Sequence, residues 1–155
     1  MDAVFVALGG RREGLAAKTQ VELSPDAFFE APFSFMLEVD ELQHFTPYKA
    51  QALLAYPPAS RVGFDMAEYL ALCDEHSEEA LRHGAPGYHR PTKDFPFPNG
   101  RDAQRAYLDA FRDLLPPEHA LHPTLRIPVL RASVPEPEVE QRLEAYLCRW
   151  GDAHT

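Results

Sequence analysis

Long apolar runs are missing from this chain. The longest, Ala3 to Leu8, covers six residues, whereas a membrane-spanning helix needs about 20. Arg11 and Arg12 follow that run instead of preceding it, the reverse of the order in a secretory leader. Cysteine is scarce: Cys73 and Cys148 are the only two, too few for a disulfide scaffold and in keeping with a reduced, cytoplasmic setting. Positive charge is not in surplus either. Lys and Arg number 15 against 24 Asp and Glu, a formal net charge of −9. Bulk electrostatics therefore do not favour nonspecific binding to nucleic acid, and such a role needs a local basic patch, a metal or a partner. There is no internal repeat and no long low-complexity tract. Gly9-Gly10 is not followed by a phosphate-loop lysine, and no Gly-x-Ser-x-Gly nucleophile elbow occurs.

What is present is ordinary globular composition, with 45% hydrophobic and 25% charged residues in 155. That length suits one domain, 1–155, with a core that needs no staples. Proline is abundant, at 15 residues, roughly twice the usual ~5%, and predicts many enforced turns. Charge is unevenly spread. Residues 22–44 hold Glu22, Asp26, Glu30, Glu38, Asp40 and Glu41 and no Lys or Arg; residues 82–105 hold Arg82, Arg90, Lys93, Arg101 and Arg105 against Asp94 and Asp102.

The pattern predicts a strand or apolar lead-in over Ala3 to Leu8 and a short helix over Arg11 to Thr19. Two strands follow, Asp26 to Glu30 and Ser34 to Asp40, joined through Pro32 as a hairpin. The second reads as a central strand buried on both faces. Thr46-Pro47 is a helix start, a capping hydroxyl followed by proline, for a helix to about Tyr56. Asp65 with Glu68 opens another, to about Leu81. A Gly/Pro-rich loop spans 83–100. From Arg101, Ala103, Ala106, Tyr107, Ala110, Phe111 and Leu114 keep a 3.6-residue period up to Pro116-Pro117. Thr124 to Val129 reads as an edge strand, because Pro128 cannot donate to a ladder. Ser133 with Glu136 caps a last helix that aligns Val139, Leu143, Tyr146, Leu147 and Trp150. The expected class is mixed α/β (α+β), with a central mixed sheet flanked by helices.

The acidic hairpin is the most informative segment. Alternate strand residues share a face, so Glu38 and Asp40 point the same way, and Asp26 on the neighbouring strand can join them. Three carboxylates at the end of a buried strand repel one another and are costly to desolvate. A hard divalent cation resolves that conflict: Mg²⁺ takes carboxylates, waters and substrate phosphate, and activates water and stabilises charge on a phosphoryl group.

Pro25-Asp26, about a dozen residues, then Glu38-Val39-Asp40 at the end of an apolar strand resembles the PD-(D/E)xK nuclease superfamily, the restriction-endonuclease-like fold. The run EVDELQHF is also similar to a motif in the very-short-patch-repair-like bacterial proteins of that group. The resemblance covers residues 11–56 and extends loosely to the strand near Arg126. It implies metal-dependent phosphodiester hydrolysis, with Mg²⁺ or Mn²⁺ held by Asp26, Glu38 and the Val39 carbonyl, and Glu13 on the first helix as an added ligand. Asp40 stands where the motif has lysine; Lys49 on the next helix, or Gln43 and His44, are the substitutes for positioning water or moving protons. Arg90, Lys93, Arg101 and Arg105, interleaved with Tyr88, Phe95 and Phe97, form the candidate nucleic-acid-binding stretch. DNA is the favoured substrate. Many nucleases of this size act as homodimers or with a recognition-protein partner, and the sequence leaves that choice open.

Plainer readings stand beside these. Acids at a strand end are often its exit into solvent, and Lys49 in a first helical turn is often a solvated lysine. Cys73 and His76 lack two further zinc ligands at convincing spacing. The missing motif lysine is compatible with a silent nuclease fold that binds nucleic acid or a partner. The net charge of −9 is compatible with a small acidic inhibitor or immunity-type protein.

Overall fold

A computed structural model describes residues 1–16, 22, 24–84, 87–130 and 136–150. The elements are α1 (Asp2–Ala7), α2 (Arg12–Ala16), β1 (Ala27–Phe29), β2 (Phe35–Glu41), α3 (Pro47–Leu54), α4 (Met66–Arg82), α5 (Gly100–Leu114), β3 (Leu125–Val129) and α6 (Glu136–Trp150), with 3₁₀ turns at Leu42–His44 and Pro116–His119. This is a mixed α/β fold: a three-stranded sheet in the order β1-β2-β3, antiparallel between β1 and β2 and parallel between β2 and β3, flanked by helices. The helical crossover α3-α4-α5 is what permits the parallel pairing.

The predicted helix starts are capped as their sequences require. Thr46 accepts from the Lys49 amide at 3.3 Å, and the Asp65 carboxylate accepts from the amides of Ala67 and Glu68 at 2.8 and 3.2 Å. The Ser133 cap and residues 17–19 of the first predicted helix lie outside the described residues. Gly100 opens α5 against the Phe95 carbonyl so closely that a Cβ would sit 1.9 Å from that oxygen, so a larger residue there would push α5 off its seat.

One expectation is corrected. Ala3 to Leu8 is not a strand: it falls mostly within helix α1, because Val4, Phe5 and Leu8 fall on one helical face and are buried while Val6 is 65% exposed. β2 is the central strand, as read, with buried residues on both faces, but only one of those faces is apolar. Phe35 and Leu37 face α6, packed with Leu125, Ile127 and Tyr146. The opposite face presents Glu38 and Asp40, both buried, toward the helices, while Val39 and Glu41 at the strand end are exposed.

The apolar interior is accordingly split. One cluster joins α1, α3, α4 and α5 through Val4, Phe5, Phe45, Leu53, Tyr69 and Tyr107. The other lies between the sheet and α6. A layer of buried charge separates them, formed by Asp40, Lys49, Asp109, Asp113 and Arg126. Among the described residues no helix is long and apolar enough to cross a membrane.

Candidate active site

Alternation along β2 sends Glu38 and Asp40 inward, and α5 answers with Asp109 and Asp113 from its buried face. Asp40, Asp109 and Asp113, three carboxylates in one desolvated layer, require cations. Arg126 on β3 supplies one: its Nη1 donates to Asp40 Oδ1 and its Nε to Asp113 Oδ1, each at 2.6 Å. Lys49 supplies the other, donating to Asp109 Oδ2 at 3.3 Å and Asp113 Oδ2 at 3.4 Å. The hydroxyls of Tyr69 and Tyr56 donate to Asp40 and Asp113 at 2.8 and 2.6 Å. Burial alone would raise these acids. For Asp40, the charges of Arg126, His44 and Lys49 outweigh it and hold the carboxyl below its usual value. For Asp109, Lys49, Arg126 and His44 hold it well below.

Lys49 is thus neither a solvated lysine nor a group open to substrate. It is 1% exposed, because the first turn of α3 points into the acids of α5. Asp40, 0% exposed, is likewise committed to Arg126 and Tyr69.

His44 stands at the edge of this layer. Its Nδ1 lies 3.0 Å from Asp109 Oδ2 and 3.3 Å from Asp40 Oδ1. With both acids ionised, Nδ1 carries the proton and Nε2 is on the far side of the ring. The ligand atoms of Asp40, His44 and Asp109 all fall within 4.8 Å of one another, a group that could hold a metal ion. An ion there would have to displace the imidazole proton and share carboxylates that Arg126 and Lys49 already neutralise.

Next to this layer opens a cleft of about 360 Å³ lined by Asp26, Glu38, Val39, Glu41, His44 and, from α5, Arg101, Arg105, Asp109 and Arg112, with Ser24 and Leu108. The hairpin register, with Ala27 opposite Leu37, carries Asp26 to the end of β2, where its Oδ2 accepts from the Val39 amide at 2.7 Å. Burial pushes the Glu38 carboxyl up to about 7, against the lowering charges of Arg112 and Arg126 and with Asp109 and Asp26 adding to the rise.

The arginines, Arg101, Arg105 and Arg112, recur at steps of four and seven residues, so they share one face of α5. Arg105 is held firmly: Nη1 donates to Asp102 Oδ1 and to the Gln43 carbonyl, both at 3.2 Å, and the guanidinium lies 4.8 Å over the Tyr88 ring. Arg101 donates to Gln104 at 2.6 Å; burial and the Arg105 charge lower its guanidinium below the ordinary value. A basic wall opposite an acidic hairpin suits a phosphate ester on one side and a cation on the other.

Of the residues singled out by sequence, Asp26, Glu38, Val39, His44, Arg101 and Arg105 meet at this cleft. Gln43 borders it through its carbonyl and turns its amide to Glu41. Glu13, exposed on α2, and the exposed Arg90 and Lys93 are not among the lining residues. Sequence reasoning missed Asp109, Arg112 and Arg126. For the first two a signal existed: Arg105, Asp109 and Arg112 keep helical i, i+4, i+7 spacing. Arg126, in an apolar strand, carried none.

The fold and cleft define a mixed α/β protein with a charged pocket at the end of its central strand. Residues 3–89 match a family of unknown function (DUF7255); this is more than half of the chain, and the protein belongs to that family. The matched span holds the acidic hairpin and Lys49 but ends before α5 and β3. No curated protein and no solved structure matches the chain.

Proposed function

We propose that this protein is a metal-dependent nuclease of restriction-endonuclease-like fold that hydrolyses phosphodiester bonds, with DNA the favoured substrate. The observation that carries the reading is the convergence of Asp26, Glu38 and Val39 with His44, Arg101, Arg105 and Arg112 on one cleft. The mixed sheet flanked by helices is the architecture this reading needs.

The donor set suits a hard cation. Glu38 Oε1 is buried without a hydrogen-bond partner, and an acid raised to about 7 ionises readily opposite a divalent charge. Asp26, Glu38 and the Val39 carbonyl would hold Mg²⁺ or Mn²⁺, whose chemistry there is to activate water and neutralise charge on phosphorus. Arg101 and Arg105 bind the nucleic-acid backbone. In its neutral form, with the proton on Nδ1 toward Asp109, His44 accepts the proton of the attacking water at Nε2. As the water oxygen bonds to phosphorus, the bond to the leaving oxygen breaks, and that oxygen keeps the electron pair and takes a proton from solvent.

One contact favours a second reading, a silent nuclease fold that binds nucleic acid without cutting it: Arg112 Nε stands 3.2 Å from Glu38 Oε1, beside the atom a cation would use. A panel of single- and double-stranded DNA and RNA, incubated with Mn²⁺ and the wild-type or Arg105→Ala protein, separates the two. Cleavage by wild type that slows at least about tenfold in Arg105→Ala supports the nuclease. Binding without cleavage overturns it in favour of the silent module.

A further inference from the structure

Arg112 lies between two acids that it does not satisfy. Its Nε is 3.2 Å from Glu38 Oε1 and its Nη1 is 3.6 Å from Asp109 Oδ1. Neither approach is a hydrogen bond: Glu38 Oε1, Asp109 Oδ1 and Arg112 Nε are each buried without a hydrogen-bond partner. The guanidinium is anchored elsewhere, by Nη2 donating to the Ser24 carbonyl at 3.3 Å. The other oxygen of Asp109, Oδ2, is taken by His44 and Lys49.

Both acids are deeply placed, Glu38 at 6% and Asp109 at 1% exposure, and both line the same cleft. A desolvated polar atom with no hydrogen bond is costly to the fold, and more so when charged. The fold has found hydrogen-bond partners for Asp40 and Asp113, yet leaves one oxygen of Glu38 and one of Asp109 with guanidinium charge nearby but no hydrogen bond: Arg112 beside both, and Arg126 Nη2 3.6 Å from Asp109 Oδ1. A guanidinium offers charge spread over a plane and N–H bonds in fixed directions. A small divalent ion accepts oxygen lone pairs from any direction, at ~2.1 Å for Mg²⁺. The two orphaned oxygens are suited to the second kind of partner.

We propose that Glu38 and Asp109 are ligands of the cleft's divalent cation and that Arg112 is its resident competitor, displaced when the cation binds. This rests on reading the cleft as cation-dependent and adds to it a ligand from α5 that the hairpin motif does not contain. Arg112 follows Asp109 by three residues, so a displaced guanidinium stays on the cleft wall with Arg101 and Arg105. Cation entry then frees an arginine for the substrate phosphate, and the two binding events favour each other.

The test is Mn²⁺ binding by calorimetry to wild type and Arg112→Gln, each checked for an unchanged unfolding transition. The expected result is at least about tenfold tighter binding by Arg112→Gln. A paramagnetic readout avoids any loss-of-ligand variant: Mn²⁺ should broaden the amide signals of Asp109 and Arg112 together with that of Glu38. Equal affinity in the two proteins, or broadening confined to residues 26 and 38–39, overturns this proposal and leaves the cation-dependent cleft standing. Absence of Mn²⁺ binding in both proteins overturns the two together.

Discussion

Arg126 on β3 and Asp40 on β2 meet at 2.6 Å with neither side chain exposed to solvent. They belong to adjacent strands that pair in parallel, with Arg126 opposite Glu38 and Asp40 opposite Pro128. The guanidinium therefore reaches diagonally along the sheet and continues to Asp113 on α5. One side chain thus ties both strands to the helical layer. Burial would weaken its charge, but Asp113, Asp40 and Asp109 raise it well above the ordinary arginine value.

Replacing one member of such a pair leaves the others buried and unpaired. Arg126→Met should cost about 3–5 kcal/mol of unfolding free energy, read from urea transitions at neutral pH. A loss under about 1 kcal/mol would mean that water reaches the layer.

Glu38 should make stability fall with rising pH in metal-free protein. The unfolded carboxyl ionises near 4.5 and the folded one near 7. Between those values the folded state holds a proton that the unfolded state has released, so stability declines as pH rises and levels off above about 7. The opposite dependence of Asp40 and Asp109, whose folded values are lowered, is present above their unfolded value and lost at more acid pH. Unfolding in EDTA at pH 5 and pH 8, compared between wild type and Glu38→Gln, isolates the effect. The difference should change by up to about 3 kcal/mol, with Glu38→Gln favoured at pH 8. Parallel profiles would show that Glu38 is solvated.

The two thiols should react at very different rates. Cys73 is buried in α4, and burial pushes its thiol up to about 11; Cys148 is exposed on α6. Iodoacetamide at pH 8 should label one thiol promptly in native protein and two in denaturant, by mass spectrometry. Prompt double labelling would place α4 outside the core.

Much of this architecture was legible where the chain reports on itself locally. The caps at Thr46 and Asp65, the hairpin around Pro32 and the edge strand at Pro128 each follow from a residue and its near neighbours. Charge pairing was not legible, because it is non-local. Lys49 finds its acids 60 and 64 positions away, and Asp40 finds its arginine 86 positions away. The apolar run at the N-terminus was ambiguous for a different reason: six residues suit a strand or a buried helical turn equally well. At the candidate site, the hairpin's carboxylates were readable as a group. The contribution of α5 was half visible, because Arg101 and Arg105 sit in a basic stretch while Asp109 and Arg112 lie among the periodic apolar residues that drew the reading toward packing.

The central claim is that Glu38 serves a cation-dependent reaction on phosphodiesters. The most direct measurement compares wild type with Glu38→Ala on mixed DNA and RNA substrates in Mg²⁺, Mn²⁺ and EDTA. The account predicts cleavage with either metal, none in EDTA, and a rate lower by at least about 100-fold in Glu38→Ala. Cleavage that persists in the variant, or a folded wild type that binds nucleic acid and cuts none of it, would contradict it.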